Sequence, residues 1–405
     1  MKHSPYFDLE SRKFTAQGVR YISDTFKGFD KKGINECDTA EYLRKVLSVF
    51  SDSASIEDVA YCPMADKAAY TIPAVIMIFC SFVFFLTRFI GSLAFPFTAL
   101  IFCFAALCLF VYGFIFGKSA ADFLLTRVKG RNVVAVRKPY ARTNKRVIIC
   151  ANIDRAYEYR YSTGFSPYLL FGFTIVYAFA MFVSLLIFLF YITSLPEAND
   201  IWEKIAVIQL VFNIVYIPAV FFFSNKKRIR GAAHNLSAVY AAIGIMKELS
   251  DSGYRYSDTE IICLLTAAKN AGQKGAASYI KKHMSELRKA DTTVIVLESL
   301  CKTDEISIVT KDETGLLKTS SEINALMKLA AGNVGVKTVK SPIKLGSTDA
   351  AKFIHKRIPS AIIRAAGKDR KHLYPNRFDD TKAVNSECIE SVMKTVIEGI
   401  NLLTE

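Results

Sequence analysis

The side chains in this sequence that could do chemistry stand mainly where predicted strands end. Asn152 and Asp154 follow the β-rich run Arg146–Cys150, and Glu298 follows the run Thr292–Leu297. Carboxylates at the ends of strands in one sheet can hold a metal ion or take a proton from water. The sequence therefore predicts a candidate site at one edge of a sheet.

Histidine and cysteine supply little further chemistry by their spacing. His283 and His355 are interpreted as surface or packing residues, and the nine cysteines contain no C-x-x-C pair. Cys80, Cys103 and Cys108 fall inside apolar stretches, where a disulfide framework is implausible. We therefore expect a reducing compartment.

Long apolar runs dominate the middle of the chain. Hydrophobic residues make up 52% of the 405 residues, and the mean hydropathy is +0.25, which is unusual for a soluble protein. Runs that are apolar on every face and long enough to cross a hydrocarbon core of about 30 Å cover residues 69–87, 92–116, 167–192 and 204–224. Within them only Gln209 and Asn213 are conspicuously polar, so the pattern favours anchoring over conduction.

The charges that flank these runs predict their orientation. Between Lys118 and Ser166 there are eleven Lys or Arg residues and three acids, and four more basic residues lie between Lys226 and Arg230. Basic flanks are cytoplasmic by the positive-inside rule. The sequence therefore predicts a multi-pass plasma-membrane protein with both termini inside. Topology and attraction to anionic lipid then explain the net charge of +15, and no nucleic-acid partner is expected.

The water-soluble residues fall into three pieces, 1–68, 117–166 and 225–405, separated by hairpins at 69–116 and 167–224. Together these pieces have about 300 residues, the size of one large α/β domain. The predicted strands are Asn132–Val136, Arg146–Cys150, Glu260–Thr266, Thr292–Leu297, Ile306–Thr310 and Ala361–Ala365. Predicted helices alternate with them, ending with one that starts at Asn385. Such alternation predicts a mixed sheet with helices on both faces.

Five short motifs stand in a fixed order across this domain. They are Asn132–Ala135, Asn152–Asp154, Gly231–Ala238, Ala268–Gly275 and the closely spaced Thr348–Phe353 with Ile358–Ala361. In order and spacing they resemble the motifs of the two-zinc aminopeptidases of metallopeptidase family twenty-eight, which also include the glutaminyl cyclases. The resemblance implies an α/β fold, namely a zinc-exopeptidase-like three-layer αβα domain with a mixed sheet, interrupted by four transmembrane helices in two pairs.

The same resemblance implies that most catalytic positions have changed. The family's first zinc histidine corresponds to Asn152, and the aspartate that bridges the metals corresponds to His234. The general-base glutamate corresponds to Lys269, and the glutamate ligand beside it to Asn270. An amide is a poor zinc ligand, and an ammonium group offers no lone pair. Two-metal hydrolysis is therefore not expected, and Lys269 is interpreted as a replacement for the metal's charge.

The resemblance implies that two of the family's metal-ligand positions are retained. Glu298 and His372 correspond to an acidic ligand and to the final histidine, and one zinc held by His234, Glu298 and His372 is a chemically reasonable alternative. The favoured interpretation is that both histidines are ordinary hydrogen-bonded residues and that Glu298 pairs with Lys269, with no cofactor. The residues expected to line the cleft are Asp154 and Asp349.

Three functions remain open from the sequence. The leading hypothesis is a membrane-anchored pseudo-peptidase that binds a peptide, a lipid headgroup or a protein partner at the inner membrane face without hydrolysis. The alternative is an active metallo-exopeptidase of aminopeptidase type, or a cyclase, with an unorthodox mono-zinc centre. A transport or channel component is a third class, which the near absence of charge within the spans disfavours.

Overall fold

The chain divides into two compact units. Unit 1 comprises Met1–Pro63, Thr126–Glu158 and Lys226–Glu405, and unit 2 comprises Met64–Leu125 and Tyr159–Asn225. The structure is a computed structural model that describes residues 9–26, 34–63, 65–90, 92–115, 127–155, 167–194, 200–221, 229, 231–303, 306–344, 346–366 and 379–404.

Helices are numbered along the chain. Those of unit 1 before the first apolar run are α1 (Leu9–Thr25) and α2 (Ile34–Phe50). The helices of unit 2 are α3 (Ala65–Phe85), α4 (Ala94–Phe110), α5 (Pro167–Thr193), α6 (Asp200–Val211) and α7 (Asn213–Phe221). The remaining helices of unit 1 are α8 (Ser237–Asp251), α9 (Lys274–Lys289), α10 (Ser321–Asn333), α11 (Ala350–Ile354) and α12 (Ser386–Thr404).

A mixed sheet forms the centre of unit 1. Within the described residues its strands are β1 (Ser53–Tyr61), β2 (Val128–Arg137), β3 (Lys145–Asn152), β4 (Thr259–Thr266), β5 (Asp291–Leu300), β6 (Ile306–Asp312), β7 (Leu317–Lys318), β8 (Thr338–Pro342) and β9 (Ser360–Ala365). Their order is β1-β2-β4-β3-β5-β9-β6-β7, and β8 pairs with β6. Because β3 runs parallel to both β4 and β5, these three strands end at the same edge.

Both faces of the sheet are buried. Side chains alternate along a strand, so Val147 and Ile149 of β3 join the core on the side of α8 and α12, whereas Ile148 and Cys150 join the core on the side of α9. A strand that is buried on both faces is rich in Val, Ile and Leu throughout, as β3 and β4 are. The predicted αβα layering and mixed sheet are therefore confirmed.

Unit 2 contains four helical stretches that are long and apolar enough to cross a membrane. Among the described residues they cover Ala68–Arg88, Ala94–Gly113, Gly172–Thr193 and Ile201–Phe221. The last stretch consists of α6 and α7. The four predicted apolar helices are therefore present.

The two polar side chains noted in these helices are buried inside unit 2. Asn213 Nδ2 donates a hydrogen bond to Ser81 Oγ at 2.9 Å. Gln209 Nε2 donates to Ser184 Oγ at 2.7 Å, and this hydroxyl also lies 2.9 Å from Tyr216 OH. Hydrogen bonds between membrane helices contribute about 0.6 kcal/mol each on average. These contacts give Gln209 and Asn213 a role in helix packing.

Gly275 lies where α9 starts against the strands that lead to the candidate site. Asn132 accepts a hydrogen bond from Ala267 N and donates one to Gly275 O, both at 2.9 Å. A Cβ on Gly275 would lie 2.6 Å from Asn132 Oδ1 and would overlap the carbonyl oxygen of Ala267. We expect Gly275→Ala to lower the free energy of unfolding by about 1–3 kcal/mol, measured by thermal or chemical unfolding of the purified chain.

Gly332→Ala is the matched control, because a Cβ on Gly332 in α10 meets nothing within 4 Å. Alanine favours a helix over glycine, so this variant is expected to be neutral or slightly more stable. Equal unfolding midpoints for the two variants would contradict the close approach at Gly275.

Candidate functional site

Lys269 and Glu298 form a buried ion pair at the edge where the parallel strands end. Lys269 follows β4 in a short turn between Ala268 and Gly272, whose φ angles are +58° and +85°. This left-handed backbone costs energy at Ala268 and reverses the chain directly after the strand. Glu298 lies near the end of β5, two strands away in the sheet. The turn thus places an ammonium group beside a carboxylate inside the protein.

The surroundings favour the charged forms of both partners. Burial acts to lower the pKa of Lys269, but the Glu298 carboxylate, with help from Asp349 and Asp154, raises it above its ordinary value. Burial acts to raise the pKa of Glu298, but Lys269, Arg364 and His234 bring it below its ordinary value. The pair is therefore an ammonium and a carboxylate.

Asp154 accepts hydrogen bonds from both asparagines that stand at predicted metal positions. Asn152 Nδ2 donates to Asp154 Oδ1 at 3.0 Å. Asn270 donates to Asp154 Oδ2 from both its backbone N and its side-chain Nδ2, each at 3.0 Å. Both amides thus act as hydrogen-bond donors to a carboxylate, which is the opposite of what a metal ligand does.

His234 lies in a π-helical turn, Ala232–Leu236, that leads into α8. Its Nδ1 is 3.0 Å from Ser299 Oγ. The backbone N–H groups of Ala233 and His234 donate to Asp379 Oδ1 at 2.6 and 3.2 Å. Burial raises the pKa of Asp379 to about 7, although these hydrogen bonds oppose the shift. Asp379 therefore holds the turn, and Ser299 fixes the imidazole.

Asp349 is a further buried carboxylate at this edge. Its Oδ2 accepts a hydrogen bond from Thr266 Oγ1 at 2.6 Å, and its Oδ1 has no hydrogen-bond partner in the part of the chain that the structure describes. Burial raises the pKa of Asp349 to about 7, and nearby Asp154 and Glu298 add to the rise, while Thr266 and Lys269 oppose it. The surroundings therefore favour the protonated form of this carboxyl group more than water does.

The structure brings most of the predicted site residues to one edge. Asn152, Asp154 and Asn270 are in direct contact, Lys269 contacts Glu298, and the positions of His234 and Asp349 are described above. His372 lies outside the described residues. The assignment of these residues as former metal positions stays a prediction.

The donor atoms of the predicted site that the structure describes do not fit a zinc ion. Among the residues that the structure describes, no three His, Cys, Asp or Glu side chains are grouped so as to hold a metal. Glu298 is already neutralised by Lys269, and the amides of Asn152 and Asn270 are turned to Asp154. A dication at this place would be repelled by the ammonium group.

Some contacts at the site were missed by sequence reasoning. Ser299, Thr266 and Asp379 all touch predicted site residues but were not predicted to do so. The only available signals were weak, namely that Ser299 follows Glu298 and that Thr266 ends a predicted strand.

Comparisons with known proteins agree with the motif resemblance. Residues 218–400 match the family model for peptidase family M28. A comparison with curated proteins finds no match. Among solved structures, the chain is similar to the glutaminyl cyclase of Bacteroides thetaiotaomicron bound to N-acetylhistamine. The identity is 13% and the TM-score 0.56, covering 98% of this chain and 99% of that chain.

Two further solved structures are similar. One is BSAP, a zinc aminopeptidase from Bacillus subtilis, with 10% identity and a TM-score of 0.55, covering 97% of this chain and 95% of that chain. The other is a Zn-dependent exopeptidase from Parabacteroides distasonis, with 12% identity and a TM-score of 0.54, covering 98% of each chain. At such identities the likeness shows the fold. Together with the family match, it confirms the resemblance found in the motifs.

Removing one partner of the ion pair should lower the free energy of unfolding more than removing both partners. We expect Lys269→Met or Glu298→Met alone to lower the free energy of unfolding by about 3–5 kcal/mol, because an unpaired charge stays buried. The double variant Lys269→Met/Glu298→Met should lose much less. Unfolding the wild type, the two single variants and the double variant in the same detergent gives the coupling energy between the two side chains.

Lys282→Met is the control, since Lys282 pairs with Glu57 at 2.8 Å while its own side chain is 61% exposed. Its loss should be within about 1 kcal/mol. If the losses at Lys269 and Glu298 simply add in the double variant, the pair is not coupled.

The raised pKa values of Asp349 and Asp379 predict a pH dependence of stability. A carboxyl group whose pKa rises from 3.8 to about 7 on folding binds its proton more tightly in the folded chain. Its contribution to stability therefore falls as pH rises through that window. We expect Asp349→Asn to flatten the decline of the unfolding midpoint between about pH 4 and pH 7.

Asp291→Asn is the matched control, because it makes the same chemical change at an exposed position at the start of β5. An unaltered slope for Asp349→Asn would show that Asp349 titrates alike in the folded and unfolded chain.

Proposed function

This chain belongs to peptidase family M28 through residues 218–400, and from that premise we propose that it is a membrane-associated, peptidase-like protein that binds its ligand without hydrolysing it. Its ligand is a peptide, a lipid headgroup or a protein partner. The observation that supports this function is the buried ion pair of Lys269 and Glu298.

Hydrolysis of a peptide bond needs an activated water molecule and a group that takes its proton. The ammonium group of Lys269 has no lone pair with which to accept a proton. Glu298 has the ability in principle, but its lowered pKa and its pairing with Lys269 make it a weak base. Neither member of the pair suits the role of general base.

The membrane part of the proposal rests on the four apolar helices and on the flanking charge. The helices are long and apolar enough to span a bilayer. The basic flanks favour a cytoplasmic position for unit 1 and for both termini, at the plasma membrane. The ligand would then be met at the inner face of the membrane.

The competing function is an active metallo-exopeptidase with one zinc on His234, Glu298 and His372. For this, Glu298 would have to exchange the ammonium group of Lys269 for the metal. The imidazole of His234 could keep Ser299, which lies 3.0 Å from its Nδ1, and offer its Nε2 to a metal. The exchange at Glu298 therefore carries the argument against the mono-zinc centre.

The test is the metal content and the hydrolytic activity of the full-length wild-type chain in detergent. We expect zinc well below one equivalent and no release of N-terminal residues or cyclised products from peptides. The Bacillus subtilis zinc aminopeptidase serves as a positive control for the assay. One equivalent of zinc, with activity that a chelator removes and His234→Ala abolishes, would overturn the proposal.

A further inference from the structure

Asp349 is held in the candidate site by two different parts of unit 1. Its side chain contacts β4, because Thr266 Oγ1 donates to Asp349 Oδ2 at 2.6 Å. Its backbone lies between Thr348 and α11, and Thr348 contacts the end of β6. The position of the Asp349 carboxylate therefore depends on residues outside the candidate site.

Asp312, the last residue of β6, binds Thr348 with both carboxylate oxygens. Thr348 Oγ1 donates to Asp312 Oδ2 at 2.6 Å, and Thr348 N donates to Asp312 Oδ1 at 3.0 Å. Asp312 Oδ1 also accepts from Glu313 N at 2.7 Å. Asp312 is fully buried, and losing such hydrogen bonds inside a protein leaves polar groups unsatisfied. This carboxylate is thus a firm support directly before Asp349.

The turn after Asp312 has an unusual backbone. Glu313, Thr314 and Gly315 have φ angles of +45°, +55° and +83°, so three consecutive residues lie in the left-handed region. Only glycine adopts this region without a steric penalty. Surrounding contacts must offset the penalty at the other two residues. We call residues 312–315 the β6 turn.

Two further contacts join the β6 turn to the segment around α11. Thr314 N donates to the carbonyl oxygen of Gly346 at 2.9 Å, three residues before Asp349. Directly after α11, His355 Nε2 lies 2.8 Å from Glu313 Oε1, and the Glu313 side chain is buried. The β6 turn thus contacts the chain on both sides of α11. Both strained residues take part in holding this short helix.

The carboxylate that the β6 turn supports acts on the ion pair of the candidate site. Burial acts to lower the pKa of Lys269, and nearby carboxylates, Asp349 among them, raise it. In addition, Asp349 Oδ1 has no hydrogen-bond partner in the described part of the chain, so this oxygen can accept a hydrogen bond from a ligand. A shift of Asp349 would change both the charge around Lys269 and the acceptor offered to a ligand.

Asp312 suits a role that depends on hydrogen bonds more than on charge. Burial raises the pKa of Asp312 to about 6, and nearby Glu298 adds to the rise, while hydrogen bonds from Thr348 and Glu313 oppose it. The surroundings thus penalise the negative charge of Asp312. An asparagine there could still accept from both backbone N–H groups and donate to the hydroxyl of Thr348, because a hydroxyl can accept as well as donate.

We propose that Asp312 is a positioning residue of the candidate site, which holds Asp349 beside the ion pair of Lys269 and Glu298 through its hydrogen bonds to Thr348. The left-handed β6 turn keeps Asp312 and α11 in place together. This inference rests on the ligand binding at this edge in the proposed function. It extends the site from β4 and β5 to the end of β6.

The experiment labels the carboxyl groups of the full-length protein in detergent with a carbodiimide and glycine ethyl ester, and measures each modified aspartate by peptide mass spectrometry. In the wild type, Asp349 and Asp379 are both buried and should react slowly. Asp312→Ala should raise the reaction of Asp349 roughly tenfold, because hydrogen bonds lost at a buried carboxylate favour local opening. Asp379 should react as in the wild type, because it holds the turn of His234 instead.

The conservative variant is Asp312→Asn, which should keep Asp349 as slow to react as in the wild type, since the amide can make similar hydrogen bonds. The control is Asp291→Ala, which makes the alanine change at an exposed position and should leave both buried aspartates unchanged. If Asp312→Ala does not fold, Thr348→Val, which removes only the hydroxyl contact, should raise the reaction of Asp349 about fivefold.

An unchanged reaction of Asp349 in Asp312→Ala, or in Thr348→Val where the first variant does not fold, would overturn the proposal. A joint rise of Asp349 and Asp379 would also overturn it, because that is the signature of a general loosening of the fold. A rise in Asp312→Asn as large as in Asp312→Ala would assign the effect to charge and contradict positioning by hydrogen bonds. Failure of the proposed function has a different signature, namely zinc and hydrolysis in the wild type, and it would leave the labelling of Asp349 unaffected.

Discussion

The ion pair of Lys269 and Glu298 determines how the polar groups of this edge can be arranged. Two charges taken out of water cost several kcal/mol each, and only close contact between them offsets that cost. Once they neutralise each other, the other polar groups can be satisfied locally, Asp154 by two asparagines and the turn of His234 by Asp379. The polar groups of this edge are thus organised around the ammonium group of Lys269.

The backbone contributes to the same arrangement. Ala268, Gln273 and Ser299 have φ angles of +58°, +53° and +48°, although none is a glycine. Each such residue costs energy that surrounding contacts must offset. Two of them bracket the turn that carries Lys269, and the third follows Glu298 directly. Such strain thus occurs where the two partners of the ion pair leave their strands, and it also occurs elsewhere in unit 1, at Glu313, Thr314 and Arg357.

Sequence reasoning recovered the elements whose burial is complete. The central residues of β3 and β4 are apolar, and the spans are apolar on every face, so both could be predicted. β1 was missed because it is an edge strand with polar residues such as Glu57 and Asp58 among its apolar ones. The pairing of Lys269 with Glu298 followed from opposite charge at two motif positions. The contact of Ser299 with His234 spans 65 residues of sequence, and that of Asp379 with Ala233 spans 146. No local sequence pattern could predict contacts between residues so far apart.

The points at which the two apolar hairpins are inserted explain how the α/β fold of unit 1 accommodates them. β1 and β2 pair without a break from Ser53 with Val136 to Tyr61 with Val128, although the first apolar hairpin separates them in sequence. Where the second hairpin is inserted, Asn235 Nδ2 donates to the carbonyl oxygen of Asp154. Each insertion thus leaves and returns at neighbouring points of unit 1. The entropy of closing a loop grows only slowly with its length, so such insertions cost little. Despite the first insertion, β2 therefore pairs with β1 on one side and with β4 on the other.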